Sequence, residues 1–139
     1  MNTPRDQIQF LGEQPAIVGQ ACSGLVLQHF YDGKRVIDRA NVTHFNFAGT
    51  WHRIYFETGT VFWRSGQAPE QPVNSSIEHG LLLNDLSEIP GIAGNILRKI
   101  DYRGSAAGDV EVMFKFDGGS SLCLRYSGAM DNTQVEISN

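Results

Sequence analysis

Long apolar runs are absent from this sequence, because no purely apolar stretch in its 139 residues exceeds three. A membrane-spanning helix needs about 20 consecutive apolar residues, so we expect no membrane span. The first residues also lack the apolar segment of a secretory signal. The sequence therefore predicts a soluble, cytoplasmic protein, with one domain over residues 1–139, a common size for a single domain.

Basic charge is also scarce: eleven Lys and Arg against fifteen Asp and Glu give a net charge of −4. Binding to nucleic acid needs a positive field, so we expect no nucleic-acid partner. The two cysteines, Cys22 and Cys123, match no metal or redox spacing, and a cytoplasmic location favours reduced thiols. The histidines form no close pair, and no phosphate-binding or nucleophile motif is present. We predict no metal and no cofactor, and the sequence leaves open whether the protein is an enzyme.

Alternation of apolar and polar residues, interrupted by glycine-containing turns, occupies most of the chain. Turn signals such as Asp32-Gly33 recur at the short spacing that is typical of all-β sandwiches and barrels. We therefore predict a mainly β fold: an antiparallel sandwich or partly open barrel of hairpins, with about eight to ten strands. A strongly bent sheet wrapped on a helix is the alternative.

The N-terminal segment carries a helix-entry signal. Thr3 can cap a helix, a proline follows at the first helical position, and Gly12 can end it. These signals predict one short N-terminal helix over residues 4–11. The alternative is an edge strand through Ile8 and Phe10.

The central hairpins can be put in register from the length of their turns. A two-residue loop at Thr58-Gly59 pairs Ile54 with Trp63. It also places Arg53 opposite Arg64. A second two-residue loop, at Ala48-Gly49, adds alternate residues of the preceding strand to the same face. The predicted core face is Thr43, Phe45, Phe47, His52, Ile54, Phe56, Val61 and Trp63.

The later hairpin needs a loop of three residues, Asp117-Gly118-Gly119, because a shorter loop would place Phe114 opposite a serine. The three-residue loop sets apolar residues against one another on one face. The predicted core pairs are Phe114 with Leu122, Val112 with Leu124, and Val110 with Tyr126.

The opposite face of the central hairpins has an unusual composition for a solvated surface, since aromatic residues alternate with arginines. The candidate binding residues on it are Trp51, Arg53, Tyr55, Arg64, His44, Glu57 and Phe62. The predicted register places the positive charges of Arg53 and Arg64 opposite each other. This pairing is unfavourable unless a carboxylate or a ligand anion lies between them.

Three interpretations of this face stay open. The first is non-catalytic binding of a small anionic or aromatic molecule, or of a peptide, with the aromatic rings as walls. The second is a protein interface, in a homodimer or with an inhibitor-like partner, because Trp, Tyr and Arg are favoured at such sites. The third is mutual shielding, in which the arginines stack on the aromatic rings and cover a half-exposed sheet.

A catalytic alternative uses His44 as the acid or base, with Glu57 orienting it. The predicted register opposes this arrangement. It places Arg53 next to His44, and it puts Glu57 further along its strand.

Overall fold

A computed structural model describes residues 2–3 and 8–139, and side chains from residue 8 onward. Within these residues eleven strands form, two of them very short. Their bounds are β1 Asn2–Thr3, β2 Gln9–Leu11, β3 Cys22–Asp32, β4 Arg35–Phe47, β5 Thr50–Glu57, β6 Thr60–Ser65, β7 His79–Asp85, β8 Leu97–Ser105, β9 Val110–Phe116, β10 Ser121–Ser127 and β11 Asn132–Ser138.

The strands belong to two sheets that pack face to face. One sheet has the order β1-β8-β9-β10-β11, and the other has the order β2-β6-β5-β4-β3-β7. Every named pair is antiparallel except β2 with β6. The prediction of a mainly β, antiparallel sandwich of hairpins is therefore confirmed. No helix in the described ranges is long and apolar enough to cross a bilayer.

The predicted registers are confirmed pair by pair. Ile54 lies opposite Trp63, and Thr43 lies opposite Ile54 on the other side. In the second sheet Phe114 lies opposite Leu122, and the turn Asp117–Gly119 has two glycines at positive φ. Left-handed backbone of this kind is what a three-residue hairpin loop requires. All eight residues of the predicted central core face, and all six of the later hairpin, are buried.

Aromatic side chains join the two sheets across the core. The ring of Phe114 lies 4.8 Å from that of Phe45, and 6.3 Å from that of Trp63 in an edge-to-face arrangement. The indole Nε1 of Trp63 donates a hydrogen bond of 3.1 Å to the hydroxyl of Tyr102, so its polar atom is satisfied inside the core.

A buried carboxylate connects the two sheets at one side. Asp38, in β4, accepts hydrogen bonds from the backbone N–H of Ala40 and from that of Thr133 in β11, each at 3.1 Å. The side chain of Asn132 donates to the carbonyl of Ile37 close by. Burial raises the pKa of Asp38, and these backbone hydrogen bonds oppose that rise.

The predicted N-terminal helix is wrong where the structure describes it, and the edge-strand alternative is what forms. Residues 4–7 lie outside the described residues, but β2 pairs in parallel with β6, and the N–H of Gln9 donates to the carbonyl of Gly59. Ile8 is buried, and the ring of Phe10 meets that of Tyr102 edge to face at 5.0 Å. Pairing with a distant strand thus outweighs the local capping signal.

Candidate functional site

The structure places all seven candidate residues on the outer face of the six-stranded sheet, because each alternates with a core residue along its strand. It also divides them into two groups. The first group lies towards β6 or at the end of β5 and consists of Tyr55, Phe62, Arg64 and Glu57. The second group lies under the segment that follows β6, where its members line cavities. It consists of His44, Arg53 and Trp51.

The aromatic rings and the guanidinium of the first group contact one another and the backbone. The rings of Tyr55 and Phe62 stack 4.8 Å apart and within 5° of parallel. The guanidinium of Arg64 lies 5.8 Å from the centre of the Phe62 ring. Its Nη1 donates to the carbonyls of Leu11 and Trp63. This half of the face corresponds to mutual shielding, and Glu57 is exposed at its edge.

Residues 66–78 fold back over the other half of the face. Near the start of this segment the amide oxygen of Gln67 accepts a hydrogen bond of 2.9 Å from Arg53. Near its end the amide of Asn74 both donates to the carbonyl of Leu81, at 2.9 Å, and accepts from its N–H, at 2.8 Å. The segment between these two attachments covers the sheet and leaves space beneath it.

The space consists of two adjoining cavities, which Ala68 and Gln71 line in common. The first has a volume of about 430 Å³. Its lining is Gln28, Val42, His44, Arg53, Gln67, Ala68, Glu70, Gln71, Pro72, Val73 and Leu81. The second has a volume of about 320 Å³. Its lining is Val26, Trp51, Ala68, Pro69, Gln71, Leu83, Asp85 and Ser87.

Trp51 reaches the second cavity because a glycine lies beneath its ring. A Cβ atom at Gly24 would stand 2.8 Å from Cη2 of the indole and 2.9 Å from Cβ of Asn46. Such distances are shorter than carbon–carbon contact allows. Gly24 therefore lets the indole lie across β4, where it forms a half-buried apolar wall.

His44 is the most buried polar side chain of the first cavity, with 7% of its surface exposed. Its Nδ1 has no hydrogen-bond partner among the described residues. Burial, which is the larger cause, and the positive charge of Arg53 together lower the pKa of His44 to about 4. The ring is therefore neutral at neutral pH, and its unpartnered Nδ1 is itself buried.

The arrangement offers little support for acid–base catalysis. Glu57 lies at the end of β5, four residues beyond the Arg53 that is opposite His44, and no hydrogen bond joins it to His44. A histidine whose pKa is about 4 is also a weak base near neutral pH. In the portion of the chain that is described, no group of three or more His, Cys, Asp or Glu side chains could hold a metal ion.

Both cysteines are free and buried. Burial raises the pKa of the Cys22 thiol to about 11, and burial is also the largest of the effects that raise the pKa of Cys123. Thiols with raised pKa values are protonated at neutral pH and therefore unreactive.

Most of the cavity lining was not among the candidates found by sequence. Gln67, Ala68, Glu70 and Gln71 belong to a segment whose Pro, Gln, Ser and Asn content indicates a surface loop. Leu81 and Leu83 belong to β7, which joins the sheet beside β3. Composition identifies the loop but contains no signal for the face it covers.

No protein-family model, curated protein sequence or solved structure matches this chain.

Proposed function

We propose that this protein is a non-catalytic binding module for a small organic anion, held in the first cavity by Arg53 and His44. The observation that carries the proposal is a concave space of about 430 Å³, open to solvent on one side, whose lining contains the guanidinium of Arg53 and the imidazole of His44. Small-molecule sites are typically concave and have a few placed polar groups among apolar ones.

The charge and hydrogen-bonding capacity of Arg53 favour an anion. Within the described residues Arg53 forms no ion pair, and its one hydrogen bond is to the neutral amide of Gln67. A guanidinium has five N–H donors, so several are available to a carboxylate in a bidentate arrangement. The neutral ring of His44 can accept from, or donate to, the same ligand, depending on its tautomer.

An aromatic or aliphatic part of the ligand would occupy the second cavity. There Trp51 provides a flat apolar wall, and Val26 and Leu83 provide aliphatic contacts. This combination supports an anion that carries an apolar group over a simple inorganic anion.

The test is a thermal-shift screen of organic anions, such as benzoate, phenylacetate and acetylated amino acids, followed by titration calorimetry of those that stabilise the protein. The key variant is Arg53→Gln, and Arg64→Gln is its matched control. The two arginines lie opposite each other in the sheet, but Arg64 lines neither cavity. We expect Arg53→Gln alone to abolish the stabilisation. The proposal fails if no anion stabilises the wild type, or if both variants respond alike.

The protein-interface interpretation stays a second proposal, and one observation favours it. Val73 and Ile77, in the segment that covers the face, have 99% and 94% of their surface exposed. A second copy of the chain approaching this face would meet these side chains first. Sedimentation velocity of the wild type and of the double variant Val73→Ser/Ile77→Ser tests this: a dimer that the variant dissociates supports it, and a monomeric wild type rejects it.

A further inference from the structure

Four residues of the covered face form one straight row across four neighbouring strands. Arg53 in β5 lies opposite His44 in β4, His44 lies opposite Val26 in β3, and Val26 lies opposite Asp85 in β7. Because the row runs perpendicular to the strands, its length is three strand spacings, or about 14 Å between the backbones of its ends.

The row passes through both cavities. Arg53 and His44 line the first, and Val26 and Asp85 line the second. Since His44 and Val26 are direct neighbours across the strand pair, the two cavities meet at the middle of the row. We refer to the two adjoining cavities together as the groove, and Ala68 and Gln71 line both of its parts.

The two ends of the row carry opposite charges, and the carboxylate of Glu70 also lines the first cavity, where it accepts a hydrogen bond from Gln67. Asp85 is the one ionisable side chain in the lining of the second cavity, as far as the described residues show. The hydroxyl and the backbone N–H of Ser87 donate to Asp85, and these hydrogen bonds lower its pKa. Asp85 is therefore an oriented carboxylate at one end, and the guanidinium of Arg53 stands at the other. Between them lie the neutral His44 and the apolar Val26.

We propose that the groove binds a short zwitterionic peptide of two or three residues, with its C-terminal carboxylate on Arg53 and its N-terminal ammonium on Asp85. This inference rests on the proposed function and specifies its ligand. An extended chain of three residues spans about 10 Å. The remaining distance is left to the side chains of Arg53 and Asp85, which line the two parts of the groove.

The middle of the groove suits a peptide. Its apolar walls, Val26, Trp51 and Leu83, can contact one aliphatic or aromatic side chain. The amide of Gln71, which lines both cavities, can form a hydrogen bond with a peptide group. The indole of Trp51 also lies on the Asp85 side, where an aromatic face favours a cation.

The test is titration calorimetry with the tripeptide Ala-Leu-Ala, its N-acetyl derivative and its C-terminal amide. We expect N-acetylation or amidation to weaken binding roughly tenfold or more, because each removes one charge-assisted hydrogen bond. With Asp85→Asn, the free and the N-acetylated peptide should bind with equal affinity. Asp32→Asn is the matched control, because Asp32 is an exposed carboxylate of the same sheet that lines neither cavity.

The outcomes separate this inference from the proposed function. If N-acetyl-Ala-Leu-Ala and simple carboxylates bind as tightly as Ala-Leu-Ala, and all depend on Arg53, the zwitterionic ligand is rejected and the anion site stands. If no peptide and no organic anion binds, both proposals fail. The modified peptides test the ammonium contact in the wild-type protein, so the result does not depend on how well the Asp85→Asn variant folds.

Discussion

Arg53 and Arg64 occupy opposed positions on β5 and β6, yet their guanidinium groups turn to different partners. Arg53 donates to the side chain of Gln67 above the face, whereas Arg64 donates to backbone carbonyls at the β2 edge. The like charges thus point apart, which relieves the repulsion expected of a directly opposed pair. The sequence predicted a carboxylate or a ligand anion between them. In the described contacts both guanidinium groups donate instead to neutral amide and carbonyl oxygens.

Removing the negative charge of Glu70 should strengthen anion binding. Glu70 lines the first cavity, and its carboxylate accepts a hydrogen bond from Gln67, which in turn accepts one from Arg53. In Glu70→Gln a carboxylate ligand no longer approaches a like charge. We expect affinity for an organic anion to rise severalfold at low salt, by titration calorimetry, with Glu78→Gln unchanged. Equal or weaker binding by Glu70→Gln would place the anion away from Arg53.

His44 should make the protein less stable as the pH falls. Its pKa is about 4 in the folded protein and near 6.5 when unfolded, so the unfolded chain takes up the proton first. The free energy of unfolding should therefore fall between pH 6.5 and pH 4, by up to about 3 kcal/mol at full protonation.

The measurement is urea unfolding at several pH values, on the wild type and on His44→Gln. Other groups also titrate: burial lowers the pKa of His29 and His52, and raises that of Asp38. The difference between the two proteins isolates His44. A difference that does not change with pH would show that His44 titrates normally in the folded state.

Asn74→Ala should destabilise the end of β7. The amide of Asn74 forms two hydrogen bonds with the backbone of Leu81, in the way that a neighbouring strand would. Losing both should lower the free energy of unfolding by about 1–2 kcal/mol. It should also promote self-association through the exposed strand edge. Ser75→Ala is the control, because Ser75 is exposed and forms no hydrogen bond within the described residues. Chemical unfolding and light scattering measure the two effects, and equal results for both variants would contradict the prediction.

Gly24→Ala should displace the indole of Trp51. The added methyl group would overlap Cη2 of the indole and crowd Cβ of Asn46. We expect a loss of about 1–3 kcal/mol in stability and a changed Trp51 fluorescence. In a Trp51→Phe background the smaller ring lacks the overlapping atom, so the same substitution should cost less. A cost that is equal in both backgrounds would mean that Trp51 does not lie on Gly24.

The strand registers were predictable because they depend on local information. Short turns with glycine at fixed positions set the pairing of Ile54 with Trp63 and of Phe114 with Leu122, and the alternation of apolar residues confirmed each loop length. The N-terminal strand was not predictable in this way. Its parallel partner, β6, lies about fifty residues further along the chain, and its own sequence resembles a capped helix.

The candidate site was predictable only in part, for a related reason. Alternation along β4 and β5 identified the face, including His44, Trp51 and Arg53, which line the cavities. The division of that face into a stacked half and a covered half depends on where residues 66–78 lie. Their path follows from tertiary contacts, such as that between Gln67 and Arg53, which composition does not encode.

The carboxylate of Asp38 has a consequence for how the protein folds. It accepts hydrogen bonds from the backbone N–H of Ala40, two residues away, and from that of Thr133, 95 residues away. The hairpins on either side can form early, since each joins neighbouring segments, but this contact can form only after nearly the whole chain has been brought together. We therefore expect Asp38 to form its native contacts after the folding transition state. Asp38→Asn should then accelerate unfolding and leave the refolding rate nearly unchanged.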